Sequence, residues 1–386
     1  MRAVVAGGIA TFPVGGVAWD YGQYAVGLER LGFEVYYLED TGLVAYDAPR
    51  REYSEDPTYG IGFLQRSLAT LSPSLADRWH VRTADGRTYG MDPANLTEIV
   101  AGADLFLNVS GLCLLRNEYM RCTCKVLIDT DPGWNHFVNY PRWDAYPGWQ
   151  GTHGFRGHDH FFTYAERMGK ANCALPTLGL SWQPTRPPAV PDCWPQAPAG
   201  ERWTTVLSWD NYQGPIEHEG MTYGSKEMEF RRVEDLPSRT LASLEVAAGG
   251  VRPPCERWRS LGWSVVDSTA ISETAESYRD YILGSRGEFS VAKNVYVATR
   301  SGWFSCRSVC YLAAARPVVV QDTGFSDLIP TGHGLLAFST PEEAASEIAA
   351  VEADYPAHRN AARELACTHF DAHRVLSEML NRIGLG

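Results

Sequence analysis

The chain has 386 residues, a length that predicts two domains because one hydrophobic core seldom serves so many residues. Its hydrophobic content of 45% and charged content of 21% are typical of a globular protein, which argues against disorder. The formal net charge of -12 disfavours binding to nucleic acid, whose affinity for proteins rests on Lys and Arg.

Neither a membrane span nor a metal site is predicted. The sequence has no apolar stretch of the roughly 18 to 20 residues that a span needs, and its start, MRAVVAGGIATF, lacks the core and cleavage site of a signal peptide. A cytoplasmic location is therefore expected. Nine cysteines, an odd number, predict reduced thiols. CTC at 122–124 has the wrong spacing for zinc, and GHDHFF at 157–162 offers His158 and His160 without a clear third ligand.

The first half of the chain alternates short apolar runs with amphipathic stretches. RAVVAGG predicts a buried strand that ends at Gly7 and Gly8, AVGLERLG predicts a helix that ends at Gly32, and FEVYYLE predicts a second strand. Asp92 and Pro93 mark another helix start. Further strands are predicted at 103–110, 124–130 and 160–166. Such continuous apolar runs indicate a parallel sheet that is covered on both faces.

A proline-rich stretch interrupts this pattern. Seven prolines between residues 174 and 200 exclude a regular helix or a central strand there. We therefore predict a linker between two domains. The predicted units are an N-terminal domain at 1–175, the linker at 176–202, a C-terminal domain at 203–368 and a last helix at 369–386 that returns to the N-terminal domain.

A second series of strands and helices follows the linker. Strands are predicted at 202–209, 262–268, 288–298, 316–322 and 332–338. Helices are predicted around 241–250, at 272–284, from Trp303 to Ala315, and from 341, 356 and 371. The fold class is therefore α/β, with two doubly wound, Rossmann-like halves and a cleft between the carboxyl ends of their sheets.

Residues 301–325, SGWFSCRSVCYLAAARPVVVQDTGF, hold the densest pattern in the chain. A strand that ends near Thr299, a short loop and a helix start predict an anion site, because free backbone N–H groups and the helix dipole point to one place. The same pattern also fits a helix that packs on a sheet with its arginine in solvent. In the first interpretation a diphosphate contacts Arg300, Ser301, Gly302, Ser305, Arg307 and Ser308.

This segment, followed by GHGLLAF at 332–338, resembles the donor-binding C-terminal half of GT-B glycosyltransferases, including family 1 and family 4-like enzymes. Pro317, Val318 and Val319 stand at the Pro-Val-Val strand of the family. The turn that follows this strand is formed here by Asp322, Thr323 and Gly324. The resemblance implies the GT-B fold, in which an acceptor-binding N-terminal domain and a donor-binding C-terminal domain face each other across a cleft.

The resemblance also implies a function. The expected reaction is sugar transfer, of the hexosyltransferase type (EC 2.4), from a nucleotide-diphosphate sugar to a small-molecule acceptor. Neither a metal ion nor a cofactor is expected, and neither nucleic acid nor a membrane is an expected partner. A bacterial natural-product pathway is the expected setting. The sugar, the nucleotide base, the acceptor, the stereochemistry and the oligomeric state stay open.

Two positions depart from the family pattern. Many relatives carry an acidic residue one turn before the Ala-Ala-Gly segment, eight residues after another, and it holds the donor ribose. These two places hold Cys310 and Gly302 here. Either Asp322 or Asp327 holds the ribose instead, or the chain belongs to a divergent or an inactive branch.

Cations for the leaving diphosphate are also inferred from the resemblance. The diphosphate gains charge as the anomeric bond breaks, so fixed cations and amide dipoles are needed there. The candidates are Arg300, Arg307, Lys293 and Lys226, although each also fits a solvated surface charge. We expect Arg307→Ala to weaken nucleotide-diphosphate binding and to leave folding intact.

An inverting enzyme of this family also needs a base from its N-terminal half. Asp20, beyond the end of the first strand, is the first candidate, and a helix N-cap is its alternative. Asp131, with His136 close behind, is the second candidate, against a turn formed by Asp-Pro-Gly. The aromatic residues of 133–150 predict either an acceptor pocket or a buried loop cluster.

Two other functions compete with sugar transfer. A dinucleotide-dependent oxidoreductase would use Glu39 or Asp40 at the end of the second strand, but AGGIATFPVGG lacks the G-x-G-x-x-G spacing. A non-catalytic ligand-binding or partner protein on a GT-B scaffold would account for the two missing carboxylates.

Overall fold

The computed structural model describes residues 1–145, 148, 151–209 and 214–386, which form an eight-stranded sheet, a six-stranded sheet and two short hairpins. The strands of the first half are β1 Arg2–Ala6, β2 Glu34–Glu39, β3 Ala45–Asp47, β4 Glu52–Ser54, β5 Trp79–Arg82, β6 Thr88–Gly90, β7 Leu105–Val109, β8 Lys125–Asp129, β9 His160–Thr163 and β10 Trp182–Pro184. Those of the second half are β11 Arg202–Ser208, β12 Ile216–His218, β13 Met221–Tyr223, β14 Ser243–Gly249, β15 Ser264–Asp267, β16 Gly287–Ser290, β17 Val318–Gln321 and β18 Leu335–Phe338.

The helices surround these sheets. In the first half they are α1 Gly15–Arg30, α2 Thr58–Leu71, α3 Pro93–Ala101 and α4 Tyr140–Ala145. In the second half they are α5 Lys226–Phe230, α6 Cys255–Ser260, α7 Ser268–Ile271, α8 Ala275–Leu283, α9 Asn294–Ala298, α10 Cys306–Ala313, α11 Pro341–Ala353, α12 Tyr355–Leu365 and α13 Ala372–Arg382. Among the described residues, no helix combines the length and the apolar character that crossing a membrane requires.

Both sheets have the doubly wound strand order. The first sheet runs β10-β9-β8-β7-β1-β2-β5-β6, and the second runs β15-β14-β11-β16-β17-β18. All pairs in these two sheets are parallel except β5 with β6. The winding direction reverses between β1 and β7 and between β11 and β16, where a crevice opens at the carboxyl ends of the strands. The predicted α/β class with two Rossmann-like halves is confirmed.

The first sheet is covered on both faces, which explains its apolar sequence. In β1 the residues from Ala3 to Ala6 are fully buried. Helix α1 covers one face, and α13 returns from the end of the chain to pack on α1 at Gly27. A Cβ atom at Gly27 would lie 2.6 Å from Leu376 Cδ1, so glycine is required for this close approach.

The proline-rich stretch is held against the second half by two arginines, of which Arg316 is buried. Its first part adds β10 as an edge strand of the first sheet, which is where proline is tolerated. Arg316 is completely buried and donates hydrogen bonds to the carbonyls of Ala197 and Pro198 at 3.0 Å each. Arg359 donates to the Ala197 carbonyl at 2.9 Å. The carbonyl groups of a segment that cannot form a ladder are therefore paired with guanidinium donors.

Two predicted elements of the second half are wrong. The stretch around 241–250 is not a helix but β14, which pairs with β11 and β15; a short apolar run that is buried on both faces has no periodicity that separates the two structures. The predicted strand at 288–298 divides into β16 and α9. At the start of α9, outside the sheet, Asn294 accepts a hydrogen bond from the Gly224 amide at 3.0 Å.

Candidate active site

The two halves meet at the carboxyl ends of their parallel strands. Asp131, which follows β8, forms an ion pair with Lys293, which follows β16, at 2.5 Å. Tyr296 donates a hydrogen bond to the same carboxylate, and the Trp303 indole donates to the Thr130 carbonyl at 3.0 Å. Two residues predicted for different roles, Asp131 and Lys293, are therefore paired across the seam between the halves.

Lys226 has no acidic side chain at ion-pair distance among the described residues, although Glu288 lies near enough to act on its charge. Lys226 begins α5. Burial, together with the nearby charges of Arg307 and Lys293, holds the pKa of Lys226 well below its usual range. A positive charge at a helix N-terminus is itself unfavourable. The charge of Lys226 is therefore poorly compensated, and an anion bound beside it would be stabilised.

Helix α10 begins at Cys306, three residues later than predicted, and Ser305 is its N-cap. The Ser305 hydroxyl accepts a hydrogen bond from the Arg307 amide at 3.2 Å. Ser308, in the first turn, is buried, and its hydroxyl has no partner among the described residues. Buried hydroxyl groups are seldom left unpaired, so Ser308 is open to a ligand.

Arg307 is committed to the second half. Its guanidinium forms an ion pair with the buried Glu288 at 2.6 Å and donates to the Val206 carbonyl at 2.6 Å and to the Ser290 hydroxyl. These contacts tie the first turn of α10 to β11 and β16. Arg307 therefore stabilises the crevice between β11 and β16. Only the guanidinium N–H groups that these contacts leave unused are available to a diphosphate.

Asp20 lies inside α1 rather than at its end, because the helix begins at Gly15 with Val14 as its N-cap. Its carboxylate reaches the seam, where the Cys306 thiol of α10 donates a hydrogen bond to it. The atom Oδ1 is buried and has no partner among the described residues. Burial raises the pKa of Asp20 to about 6, and the bond from Cys306 limits the rise.

His136 is enclosed below the seam. Its side chain is fully buried, its Nε2 lies 3.0 Å from Asp129 Oδ2, and its Nδ1 lies 3.0 Å from the Pro176 carbonyl. Asp129 also accepts hydrogen bonds from Asn135 and Thr163 at 2.8 Å each. Both ring nitrogens of His136 are therefore used inside the first half, where they position the loop that carries Asp131.

A turn at the end of β17 forms the other side of the seam. Asp322 accepts hydrogen bonds from the Gly324 amide and the Ser326 hydroxyl at 2.9 Å each, so its carboxylate shapes this turn. Thr323 is buried, and its hydroxyl donates to the Trp303 carbonyl at 2.6 Å. Arg300 is half-exposed, 3.5 Å from Asp327.

The loop before α10 is fastened to this turn and to the first half. Ser301 is fully buried, and its hydroxyl donates to the Tyr296 carbonyl at 3.2 Å. Gly302 adopts φ 76° and donates its amide to the Thr323 carbonyl at 2.9 Å. A Cβ atom there would lie 2.8 Å from Cγ of Arg167, a residue of the first half. The predicted loop therefore serves the contact between the halves.

Three solved structures resemble the whole chain. AviGT4, a glycosyltransferase involved in avilamycin A biosynthesis, is 13% identical with a TM-score of 0.55, over 99% of this chain and 97% of its own. An α-glucosyltransferase in complex with UDP and a 13-mer DNA is 11% identical with a TM-score of 0.61, over 100% and 99%. HepE from Anabaena, in complex with UDP and glucose, is 9% identical with a TM-score of 0.56, over 100% of both chains.

These likenesses extend over both halves of the chain. The fold of this chain is GT-B. No protein-family model matches the sequence, and no curated protein matches it. The GT-B resemblance predicted from residues 301–338 is therefore confirmed for the fold.

The two departures from the GT-B family pattern have structural causes. Cys310 is buried on the side of α10 that faces α1, where Gln23 Nε2 lies 3.8 Å from its sulphur. A carboxylate at this place would meet α1 rather than a ribose. Gly302 is the position that Arg167 covers. Neither place is open to a donor sugar in this arrangement of the halves.

The predicted acceptor aromatics divide between two places. Phe137 stacks on Tyr223 of the second half, with ring centroids 5.1 Å apart. Tyr140 stacks on Phe155 at 4.4 Å in a buried cluster of the first half. Trp134 packs with Phe137 in the cluster that includes residues of the second half, and Trp143 packs on Tyr140 and Phe155. Tyr146 and Trp149 lie outside the described residues. In the part of the chain that the structure describes, no group of three or more His, Cys, Asp or Glu side chains is arranged to hold a metal ion.

Sequence reasoning missed Cys306, Glu288 and Arg167. Arg167 follows β9 closely, so the rule that identified Asp131 from the end of β8 would also have found it. Glu288 has a weaker signal, a single acid inside an otherwise apolar strand. Cys306 had no signal in the sequence, because its contact with Asp20 depends on how the halves are packed.

Proposed function

We propose that the protein is a glycosyltransferase that moves a hexosyl group from a nucleotide-diphosphate sugar to a small-molecule acceptor, without a metal ion. The observation that carries the proposal is Lys226, a poorly compensated cation beside the first turn of α10 in a GT-B cleft. A donor diphosphate supplies the missing negative charge. The UDP complexes of the α-glucosyltransferase and of HepE support this class of donor.

The second half stabilises the leaving group in this proposal. The bond between the anomeric carbon and the diphosphate oxygen breaks, and the diphosphate keeps the electron pair. Lys226 and the α10 N-terminus, with the hydroxyl of Ser308, face this charge. Lys293 adds a second cation when it exchanges Asp131 for the diphosphate.

The first half supplies the base in an inverting transfer. The acceptor oxygen bonds to the anomeric carbon, and its proton moves to Asp20. A carboxylate with a pKa of about 6 is largely ionised near neutral pH and is more basic than an ordinary aspartate. Asp131 is the second candidate: Lys293 and Tyr296 engage both of its oxygens here, and one of them becomes free when Lys293 turns to the diphosphate.

Donor binding must separate the seam. The cavity below α10, lined by Ser305, Arg307 and Ser308 among others, measures about 20 Å³, which is space for about one water molecule. A ligand pocket usually measures about 300 Å³ or more. We therefore infer that the pair of Asp131 and Lys293 opens as the nucleotide enters.

A small acceptor is favoured over nucleic acid. The net charge of -12 and the carboxylates on the acceptor side of the cleft would repel a phosphate backbone. The α-glucosyltransferase was nevertheless solved with DNA, so DNA belongs in the test as a competing acceptor.

The test is a transfer assay with UDP-, GDP-, dTDP-, CDP- and ADP-glucose, small sugars and amines as acceptors, and duplex DNA as the competing acceptor. Free nucleoside diphosphate and the masses of the products are measured for the wild type and for D20N. We expect one donor to release its diphosphate and to glycosylate a small molecule in the wild type only. Binding without turnover would point to a non-catalytic ligand-binding protein, product on DNA alone would contradict the acceptor class, and the absence of binding would contradict the proposal.

A further inference from the structure

The first half contains a pocket of about 240 Å³ that the proposed reaction has not used. Its walls come from the loop after β1, the β3–β4 hairpin and the turn between β5 and β6. Glu39, at the end of β2, lines its inner end. The volume suits one substituted six-membered ring.

Glu39 is a buried acid without a cation. It is 1% exposed and accepts hydrogen bonds from the Ala10 amide at 2.8 Å and from the Thr11 amide and hydroxyl at 2.5 Å each. Among the described residues, none of the Lys or Arg side chains forms an ion pair with it. Burial raises the pKa of Glu39 to about 7, and these hydrogen bonds limit the rise. A buried carboxylate is stabilised either by a proton or by a positive charge.

The described lining of the pocket has no free positive charge. Arg82, the one cation in it, forms ion pairs with Glu118 at 3.2 Å and with Asp40 at 3.8 Å, although its Nε donates no hydrogen bond among the described residues. Asp85, on the wall, pairs with Arg87 at 2.6 Å. Glu55, at the rim, pairs with no cation among the described residues. The uncompensated charge of the pocket is therefore negative, and a cationic ligand fits it.

The outer wall is apolar. Leu43 and Val44 are 45% and 36% exposed, and both line the pocket with Ile61. An apolar wall that is left in water is stabilised when the face of a ring covers it.

We propose that this pocket binds a ring-sized molecule with a protonated amine, which lies at Glu39 while the ring lies against Leu43 and Val44. The inference rests on the proposed function in that this molecule is the sugar acceptor. Tyr21 lies near both Asp20 and Glu39: burial raises the pKa of its hydroxyl, and both carboxylates raise it further. The hairpin wall also reaches the second half, where Arg51 pairs with Asp267. The pocket therefore adjoins the cleft.

The test compares 4-aminocyclohexanol with 1,4-cyclohexanediol, which differ only in the amine, by ligand-observed NMR titration at pH 7. We expect the wild type to bind the amine at least about tenfold more tightly than the diol, the usual effect of one charged hydrogen bond. E39Q should bind the two compounds alike. A84W, which adds a bulky ring at the exposed wall, should lose both, whereas A350W, the same change at an exposed position of α11 outside the pocket, should behave as wild type.

Each arm decides a separate point. Equal binding of amine and diol by the wild type, or an undiminished preference in E39Q, would overturn the inference. Binding of the amine that A84W leaves intact would place the ligand elsewhere and would also overturn the inference. Because A84W leaves the hydrogen bonds of Glu39 in place, this comparison remains valid even if E39Q folds poorly. Nucleoside diphosphates titrated into the same samples test the proposed function independently. Diphosphate binding without amine binding removes the inference alone, and amine binding without diphosphate binding removes the proposed function.

Discussion

The two halves of the protein share one architecture but bring opposite charges to the cleft. The first half presents the carboxylates of Asp20 and Asp131, and the second presents Lys226, Lys293 and the N-terminus of α10. Asp131 and Lys293 follow the carboxyl ends of parallel strands, whereas Asp20 lies in the first half of α1 and Lys226 begins α5. The comparison suggests a division of labour, in which one half accepts a proton and the other stabilises the leaving diphosphate.

The largest expected effect is on the transfer rate, when the carboxylate of Asp20 in the first half is removed. D20N should lower the transfer rate about 10²- to 10⁴-fold, the usual contribution of a general base. Its melting temperature at pH 7 should not fall, because a carboxylate whose folded pKa is raised costs stability above that pKa. The exposed Asp280→Asn is the matched control and should keep full activity. Full activity in D20N would remove Asp20 as the base.

The second prediction concerns the ion pair between Arg307 and Glu288, which stabilises the second half. Arg307→Ala leaves Glu288 buried without its cation, so we expect the free energy of unfolding to fall by about 3 to 5 kcal/mol. This expectation replaces the one drawn from the sequence, that the variant would fold as the wild type does. Arg300→Ala, half-exposed, should cost less than about 1 kcal/mol. Denaturant unfolding measures both. A stable Arg307→Ala variant with weak diphosphate binding would restore a direct role for Arg307.

The third prediction concerns the cation itself. Lys226→Met should weaken nucleoside-diphosphate binding about 10- to 100-fold, the worth of a charged hydrogen bond. Its stability should hold or rise, because a poorly compensated charge has been removed from the interior. Lys170→Met on the exposed surface is the control and should change neither quantity. Calorimetry and thermal unfolding measure the two effects, and a loss of stability with unchanged affinity would contradict the assignment.

The fourth prediction uses pH to separate the halves. Asp20 loses its proton as pH rises through about 6, so the transfer rate should rise about tenfold between pH 5 and pH 7. Diphosphate binding, which depends on the second half, should change less over the same range. A rate that is flat across pH 6, measured at saturating donor, would show that Asp20 does not transfer the proton.

The smallest expected effect is on the free energy of unfolding, and it tests the contact between the halves at Gly302. Gly302→Ala places a side chain at φ 76° and 2.8 Å from Arg167 Cγ, whereas Gly86→Ala meets only the cost of φ 85° with no neighbour within 4 Å. The left-handed conformation costs about 1 to 2 kcal/mol in both. We expect the unfolding free energy of Gly302→Ala to fall further than that of Gly86→Ala. Equal losses of unfolding free energy in the two variants would show that the Arg167 side chain moves away from the new methyl group at no measurable cost.

The sequence predicted the two-sheet architecture better than it predicted the contacts in the cleft. Strands such as β1 and β17 are buried apolar runs that are followed by glycine or acid, and Asp131 was found because it follows a predicted strand, whereas Lys293 was expected inside a strand. The run at 241–250 failed because a short segment buried on both faces shows neither the helical nor the strand period.

The contacts that cross the seam had no signal in the sequence. The Cys306–Asp20 hydrogen bond joins α10 to α1, and the Asp131–Lys293 pair joins β8 to β16, although these residues are far apart in the chain. Arg307 was expected to face a ligand, but the buried Glu288 holds its guanidinium. A local pattern shows which residues are charged, whereas packing decides which charges are paired and which, like that of Lys226, are left without an ion pair among the described residues.

The measurement that tests the central claim most directly is a calorimetric titration of the wild type, Lys226→Met and Lys170→Met with UDP, GDP, dTDP, CDP and ADP. We predict that at least one diphosphate binds the wild type and the Lys170→Met control equally, and binds Lys226→Met about tenfold or more weakly. Binding of no diphosphate, or equal binding by all three proteins, would contradict the account.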